Sequence, residues 1–320
     1  MRLAAAFIFL ATPLAAQDVD GAVNEHILPG YSALAEETTL LADAACAAED
    51  LKPAFSSAFD AWVRVSHLRF GPSEADDRAF ALAFWPDPRG STPKTLAALI
   101  SDADPVVEDA AAFGTVSVAG RGFYALEFLL FDPQFAEQSS SPYLCTLTQA
   151  ITRDIAANAA AIEAGWQNHA ALMTAPGNDA YRTEEEAIRQ LFTALATGLE
   201  FTSQARLGRP MGTFERPRPN RAEARRSDRS LRHVVLSLEA TRALAGHIAT
   251  RDDALDALFE KAISQAEALD DPVFANVATP QGRIRVEALQ SSVEEIRRYL
   301  GGTVAPRLGI EAGFNALDGD

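Results

Sequence analysis

Two polar side chains interrupt the most apolar stretch of the chain, Gly120-Arg121-Gly122-Phe123-Tyr124-Ala125-Leu126-Glu127-Phe128-Leu129-Leu130-Phe131-Asp132. Its composition predicts a buried helix. Tyr124 and Glu127 stand three residues apart, so a helix stacks them on one face. A carboxylate inside such a run must be paired, protonated or ligated, because an isolated buried charge is costly. Either an arginine keeps Glu127 ionised, with Arg69, Arg121 and Arg226 as candidates, or Tyr124 and Glu127 line a site. Phenol and carboxylate oxygens both suit hard cations; tyrosine ligates haem iron and carboxylates bind hard divalent ions. Two oxygens are too few for a tight site. Further ligands such as Glu74, Asp87 or His67 would have to converge on them.

The other residues able to do chemistry narrow the classes. None of the histidines, His26, His67, His169, His233 and His247, has a His or Glu three or four residues away, so no helical ligand pair is written into the chain. His-Glu-x-x-His, the Gly-x-Ser-x-Gly elbow and the phosphate-binding glycine motifs are absent. The stretch from Arg206 to Arg232 holds nine arginines against Glu215, Glu223 and Asp228. It reads either as an anion site or as a solvated linker pairing with an acidic surface. Cys46 and Cys145 are the two cysteines; in an oxidising compartment they predict one disulfide.

The elements that must position these groups are all helical. Apolar periodicity predicts helices over 18–48, from Lys52-Pro53 to about Phe70, over 92–101, over 105–131 with breaks at Gly114 and Gly120, and over 142–173. Pro29-Gly30 should kink the first. Between Gly71 and Gly90, three prolines and two glycines predict a long irregular segment, the kind of loop that is often functional. Pro176-Gly177-Asn178-Asp179 is a turn and the predicted domain boundary. Beyond it come helices over 184–206, 227–250, 252–269 and 282–300, the last ended by Gly301-Gly302. With no alternating strand pattern, this gives an all-α chain of two up-and-down bundles, 17–176 and 180–320, whose symmetry suggests an internal duplication too faint to read as a repeat.

Residues 1–16 carry one arginine, a short apolar core and then small residues, which predicts a signal peptide cleaved after Ala16. No cysteine follows that core closely enough for a lipid anchor, and no later apolar run has the length of a membrane span. The chain is 48% hydrophobic, an ordinary globular composition, with a net charge of −16. So acidic a protein is not a nucleic-acid binder. Together these features predict an exported protein, most simply of a bacterial periplasm.

The segment Gly-Phe-x-Ala-Leu-Glu-x-Leu-Leu-Phe resembles the signature helix of the imelysin-like family, peptidase family M75, whose pattern is Gly-x-His-x-x-Glu. Gly122, Tyr124 and Glu127 fill the three slots, with tyrosine in the histidine position. Leu68-Arg69-Phe70-Gly71-Pro72 and the Phe84-Trp85-Pro86-Asp87-x-Arg89 pattern are similar to the same family, as is the C-terminal tail. The resemblance covers nearly all of the chain after residue 16. It implies an all-helical fold of two related bundles, with His67, Arg69, Trp85 and Asp87 near the site, and Arg226 and Ser227 in a segment lining the inter-bundle region. It also implies an iron-related binding or accessory protein of the periplasm, taking a small ligand or a metal, iron or another di- or trivalent ion, and working beside an envelope iron-transport protein. The second reading is an M75-type peptidase, which the loss of the signature histidine disfavours. The third is an envelope scaffold without a small ligand.

Overall fold

Every regular element is helical among the residues that the computed structural model describes, 18–137 and 141–310. The predicted signal peptide and the last ten residues of the C-terminal tail lie outside that range. The first rod runs through Val19–Gly21, Ala22–Ile27 and α1 (Leu28–Asp43) without a break. Its middle segment is wound in wide π-type turns immediately ahead of Pro29, which has no N–H to give the ladder. The predicted kink is thus a change of winding. α2 (Ala48–Val65) buries Phe55, Phe59, Trp62 and Val63. It ends short of the predicted Phe70 because the chain turns away through Leu68–Ser73, where the Ser73 hydroxyl donates to the Leu68 carbonyl at 2.6 Å.

After the short helix α3 (Ser91–Asp102), the helix predicted over 105–131 does not form as one piece. The chain makes single turns at Pro105–Glu108, Ala110–Phe113 and Val118–Gly120 before α4 (Gly122–Phe131). Asp104, Asp109 and Ser117 each cap the next turn with a side-chain oxygen, so the local hydrogen bonding restarts three times. α5 (Pro142–Thr174) is the longest helix described. Hydrogen bonds from Gly177 and Asn178 to the Tyr181 carbonyl, at 2.8 and 3.1 Å, close the turn that leads into α6 (Glu184–Glu200).

The rest of the chain is α7 (Ser230–Ile248), α8 (Asp253–Glu267) and α9 (Pro280–Tyr299). Gly301-Gly302 do not stop α9, contrary to the sequence expectation: the helix winds on through Leu300–Val304 and Ala305–Arg307. Neither glycine takes a left-handed φ, and buried Leu300, Val304 and Ala305 hold the extension against the core.

α1 packs along α2 and α5, and α4 packs on α5; α7 packs on α6 and α8, and α9 on α8. The two bundles share a wall where α2 meets α7, and their buried side chains form one continuous cluster. Among the described residues no helix is long and apolar enough to cross a membrane.

The structure joins Cys46, in the turn between α1 and α2, to Cys145, in the first turn of α5, across a separation of 99 residues. A loop of that length should contribute about 4–5 kcal/mol by limiting the unfolded chain. We expect urea unfolding with and without reductant, or of the Cys46→Ser/Cys145→Ser variant, to show a loss of that order.

Candidate functional site

α4 starts where only glycine fits. Gly122 has φ +72°, and a Cβ there would lie 2.3 Å from the Ala81 carbonyl oxygen and 2.4 Å from that of Leu82. Glycine therefore seats the helix start against the end of the short helix Arg78–Leu82 and sets the height of Tyr124 and Glu127. Both side chains are buried, but they serve different partners.

Glu127 holds a loop. Its Oε1 accepts the backbone N–H of Arg226 and of Ser227, each at 3.0 Å, and the Ser227 hydroxyl at 2.9 Å. Burial raises its pKa; those donors and the nearby Arg226 charge work against the rise without cancelling it. The predicted arginine fork is not made. The Arg226 guanidinium donates to Asp132 at 2.6 Å and lies over the Phe128 ring at 3.5 Å. Arg121 pairs with Asp154, and Arg69 with Glu74. Backbone donors do for Glu127 what a guanidinium was expected to do.

Tyr124 holds a carboxylate. Its hydroxyl donates to Glu223 Oε1 at 2.5 Å, and Arg206 Nε donates to Oε2 at 2.6 Å. Two weaker contacts at 3.4 Å steady Arg206, one to the Thr202 hydroxyl and one to Ser66. His233 Nδ1 lies 3.2 Å from the same Oε2, but not along a hydrogen-bonding direction. Burial alone would raise Glu223; Arg206, His233 and Tyr124 outweigh it and hold the group far below the usual carboxylate range. Burial, and then the Glu223 charge, push the Tyr124 phenol well above its ordinary value. The site therefore carries a neutral phenol on an ionised acid.

This group forms part of the wall of a cavity of about 570 Å³ between the bundles. Trp62, Ser66, His67, Arg69 and Trp85 line it from the first bundle, and Phe201, Gln204, Arg206 and Glu223 from the second. Trp85 stacks toward Tyr124, with centroids 6.3 Å apart, and meets Phe201 edge-on at 5.8 Å. The charges on the wall are answered locally: Arg69 by Glu74, Arg206 by Glu223, and Glu200 by Arg297. His67 is buried with Nε2 3.0 Å from His26 Nε2, and its Nδ1 has no partner. Burial, then His26 and Arg206, hold His67 well below its ordinary pKa; burial, then His247, lower His26 to about 4.

Of the residues singled out from sequence, Tyr124, His67, Arg69 and Trp85 meet at the cavity. Glu127, Arg226 and Ser227 meet one another behind it. Gly122 is a packing position. Asp87 accepts the Thr92 N–H at 2.8 Å at the start of α3, and Glu74 pairs with Arg69. The proposed metal donors do not fit a resident metal: Glu127 Oε1 already takes three donors, and the Tyr124 proton goes to Glu223. Among the described residues no group of three or more His, Cys, Asp or Glu could hold a metal ion. Sequence reasoning missed Arg206, Glu223, His26 and His233 as site residues. For Glu223 a signal existed: an acid flanked by two alanines inside an arginine-rich stretch, and all three are buried.

Two up-and-down bundles closing a polar-walled cavity along their shared wall define an all-α double-bundle protein. The chain belongs to the imelysin family, peptidase M75, whose family model matches residues 27–300. It is 25% identical over 322 aligned residues to iron-regulated protein A of Synechococcus elongatus, covering 91% of this chain and 86% of that protein. An imelysin-like protein from Psychrobacter arcticum 273-4 shares the fold, with a TM-score of 0.78 at 18% identity, over 92% of this chain and 96% of its own. A protein from Parabacteroides distasonis ATCC 8503, provisionally named an iron-regulated protein A precursor, superposes with a TM-score of 0.72 at 16% identity, over 91% and 94%.

Gly122→Ala should cost more than about 1 kcal/mol, because the left-handed φ and the carbonyl contacts both oppose a side chain. Glu127→Ala strands buried donors and should cost about 2–3 kcal/mol; denaturant titration measures both. The lowered histidines also set a pH dependence. The unfolded chain takes protons near pH 6.5 and the folded chain resists them, so stability is complete above 6.5 and is lost as pH falls towards 4. His67→Asn should flatten that slope. Glu223→Gln should remove the part of the slope that lies below about pH 4.5, the ordinary value from which Glu223 is depressed.

Proposed function

We propose that the chain is an exported ligand-binding or accessory protein of iron uptake in the cell envelope, and that the inter-bundle cavity is its ligand site. The observation that carries this reading is the Tyr124–Glu223–Arg206 group on the wall of an aromatic-lined cavity large enough for a small organic molecule. The name of the cyanobacterial relative supports a link to iron. The signal-like first 16 residues and the precursor name of a structural relative support export, most simply to the periplasm.

Binding is favoured over peptide cleavage by the state of the groups present. A phenol with a raised pKa, hydrogen-bonded to a carboxylate, is a poor nucleophile. An acid held ionised by an arginine is a poor general acid. Since Tyr124 and Glu127 do not converge on one point, iron enters as cargo on an organic ligand rather than as a bare ion. An envelope iron-transport protein is the partner that such a role requires.

Trp62 and Trp85 line the cavity, so ligand binding should change tryptophan fluorescence. Titration with a panel of ferric catecholate, hydroxamate and citrate chelates should give saturable quenching by at least one. Trp85→Ala should weaken it about tenfold or more, and unfolded casein should stay uncut. Cleavage of casein that is lost in Glu223→Gln, or no response to any chelate, would overturn the reading.

A further inference from the structure

The arginine-rich stretch divides into two halves that behave differently. Arg206 pairs with Glu223 and Arg226 with Asp132, Arg229 and Arg232 share Asp60, and Arg225 makes no ion pair among the described residues but lies near the Glu127 and Asp132 charges. Arg209, Arg216, Arg218 and Arg221 have no carboxylate within ion-pair distance among the described residues, although the chain has a net charge of −16. Even Glu215, in the same turn, reaches none of them. Four guanidinium groups without a carboxylate partner among the described residues make this turn locally positive on an acidic protein.

The backbone builds that place. Thr213 and Arg216 exchange N–H···O bonds at 3.3 and 3.1 Å, Arg218 N–H donates to the Pro210 carbonyl at 2.9 Å, and Arg221 N–H to that of Arg218 at 2.9 Å. Gly212 closes the turn at φ +55°, where a Cβ would fall 2.5 Å from the Arg216 carbonyl oxygen. The grouped charges feel one another: Arg221 and then Arg216 lower Arg218, and burial and then Arg221 lower Arg209. Arg209 sits beside the cavity, behind one of its lining residues. It follows Arg206 by three residues, its guanidinium lies over Trp85 at 5.6 Å, and its Nε is sealed from solvent with no partner. A buried N–H without an acceptor is costly unless a ligand supplies one.

We propose that Arg209, Arg216, Arg218 and Arg221 form an anion site next to Trp85, outside the lining of the inter-bundle cavity but adjoining it, and that its ligand is a small, multiply charged oxyanion, a polycarboxylate or a phosphate. Planar guanidinium forks suit both oxygen groups. The assignment rests on the cavity being the ligand site, and it adds the charge of what enters.

Calorimetry with citrate, ferric citrate and inorganic phosphate, at low and raised salt, tests it. The wild-type protein should bind at least one, with affinity falling as salt rises. Arg209→Gln/Arg218→Gln should weaken that binding by about tenfold or more, and Arg209→Lys/Arg218→Lys should restore part of it. If the first variant unfolds, Arg216→Gln/Arg218→Gln changes only the outer pair and should give a smaller loss in the same direction. Three results would overturn the proposal: no binding of any of the three anions at low salt, equal binding by the wild-type and glutamine variants, or arginine-dependent binding only to phosphatidylglycerol vesicles. The two readings fail separately. Ferric chelates that quench fluorescence equally in all arginine variants would leave the cavity reading standing and remove the anion site. Binding of iron-free citrate or phosphate controlled by these arginines, with no ferric chelate bound, would do the reverse.

Discussion

The burial of one ionised carboxylate, Glu223, is the constraint on which the site depends. An unpaired charge at that depth would be prohibitive. Its partners come from distant parts of the chain: Tyr124 on α4, Arg206 on the π-wound continuation of α6, and His233 on α7. Meeting its needs brings one side chain of the first bundle and two of the second to a single point. Substituting Tyr124 or Arg206 would leave a buried carboxylate oxygen without its donor, so the position of the cavity wall and the stability of the seam are coupled.

Winding contributes to that geometry. The wide turns over Phe201–Leu207 follow directly from α6 and carry Phe201 and Arg206, which face each other as ring and guanidinium at 4.9 Å. Both residues line the cavity, as does Gln204 between them. Such turns inside helices often accompany functional sites because they redirect side chains without ending the helix. Here they replace the straight helix that periodicity alone predicts over 184–206.

Much of the fold was legible in the sequence. The longest helix with a clear apolar stripe, α5, forms where periodicity places it, and the structural relatives share the all-α architecture. What was not legible depended on competition between local and distant contacts. Asp104, Asp109 and Ser117 cut the segment before α4 into turns, whereas packing carried α9 past two glycines. At the site, the Tyr124–Glu127 spacing located α4 and its buried polar groups. It could not show that the phenol would face the cavity and the carboxylate a loop, because their partners lie 99 or more residues away.

The Glu127 contact limits how the cavity can be reached. A hinge motion that swings the bundles apart would pull the 226–227 backbone from Glu127, Arg226 from Asp132 and Tyr124 from Glu223 together. Rotating the exposed rings of Phe80 and Phe201 at the rim breaks none of these bonds. Parting the bundles would cost all of these bonds at once, whereas the two rings carry none of them.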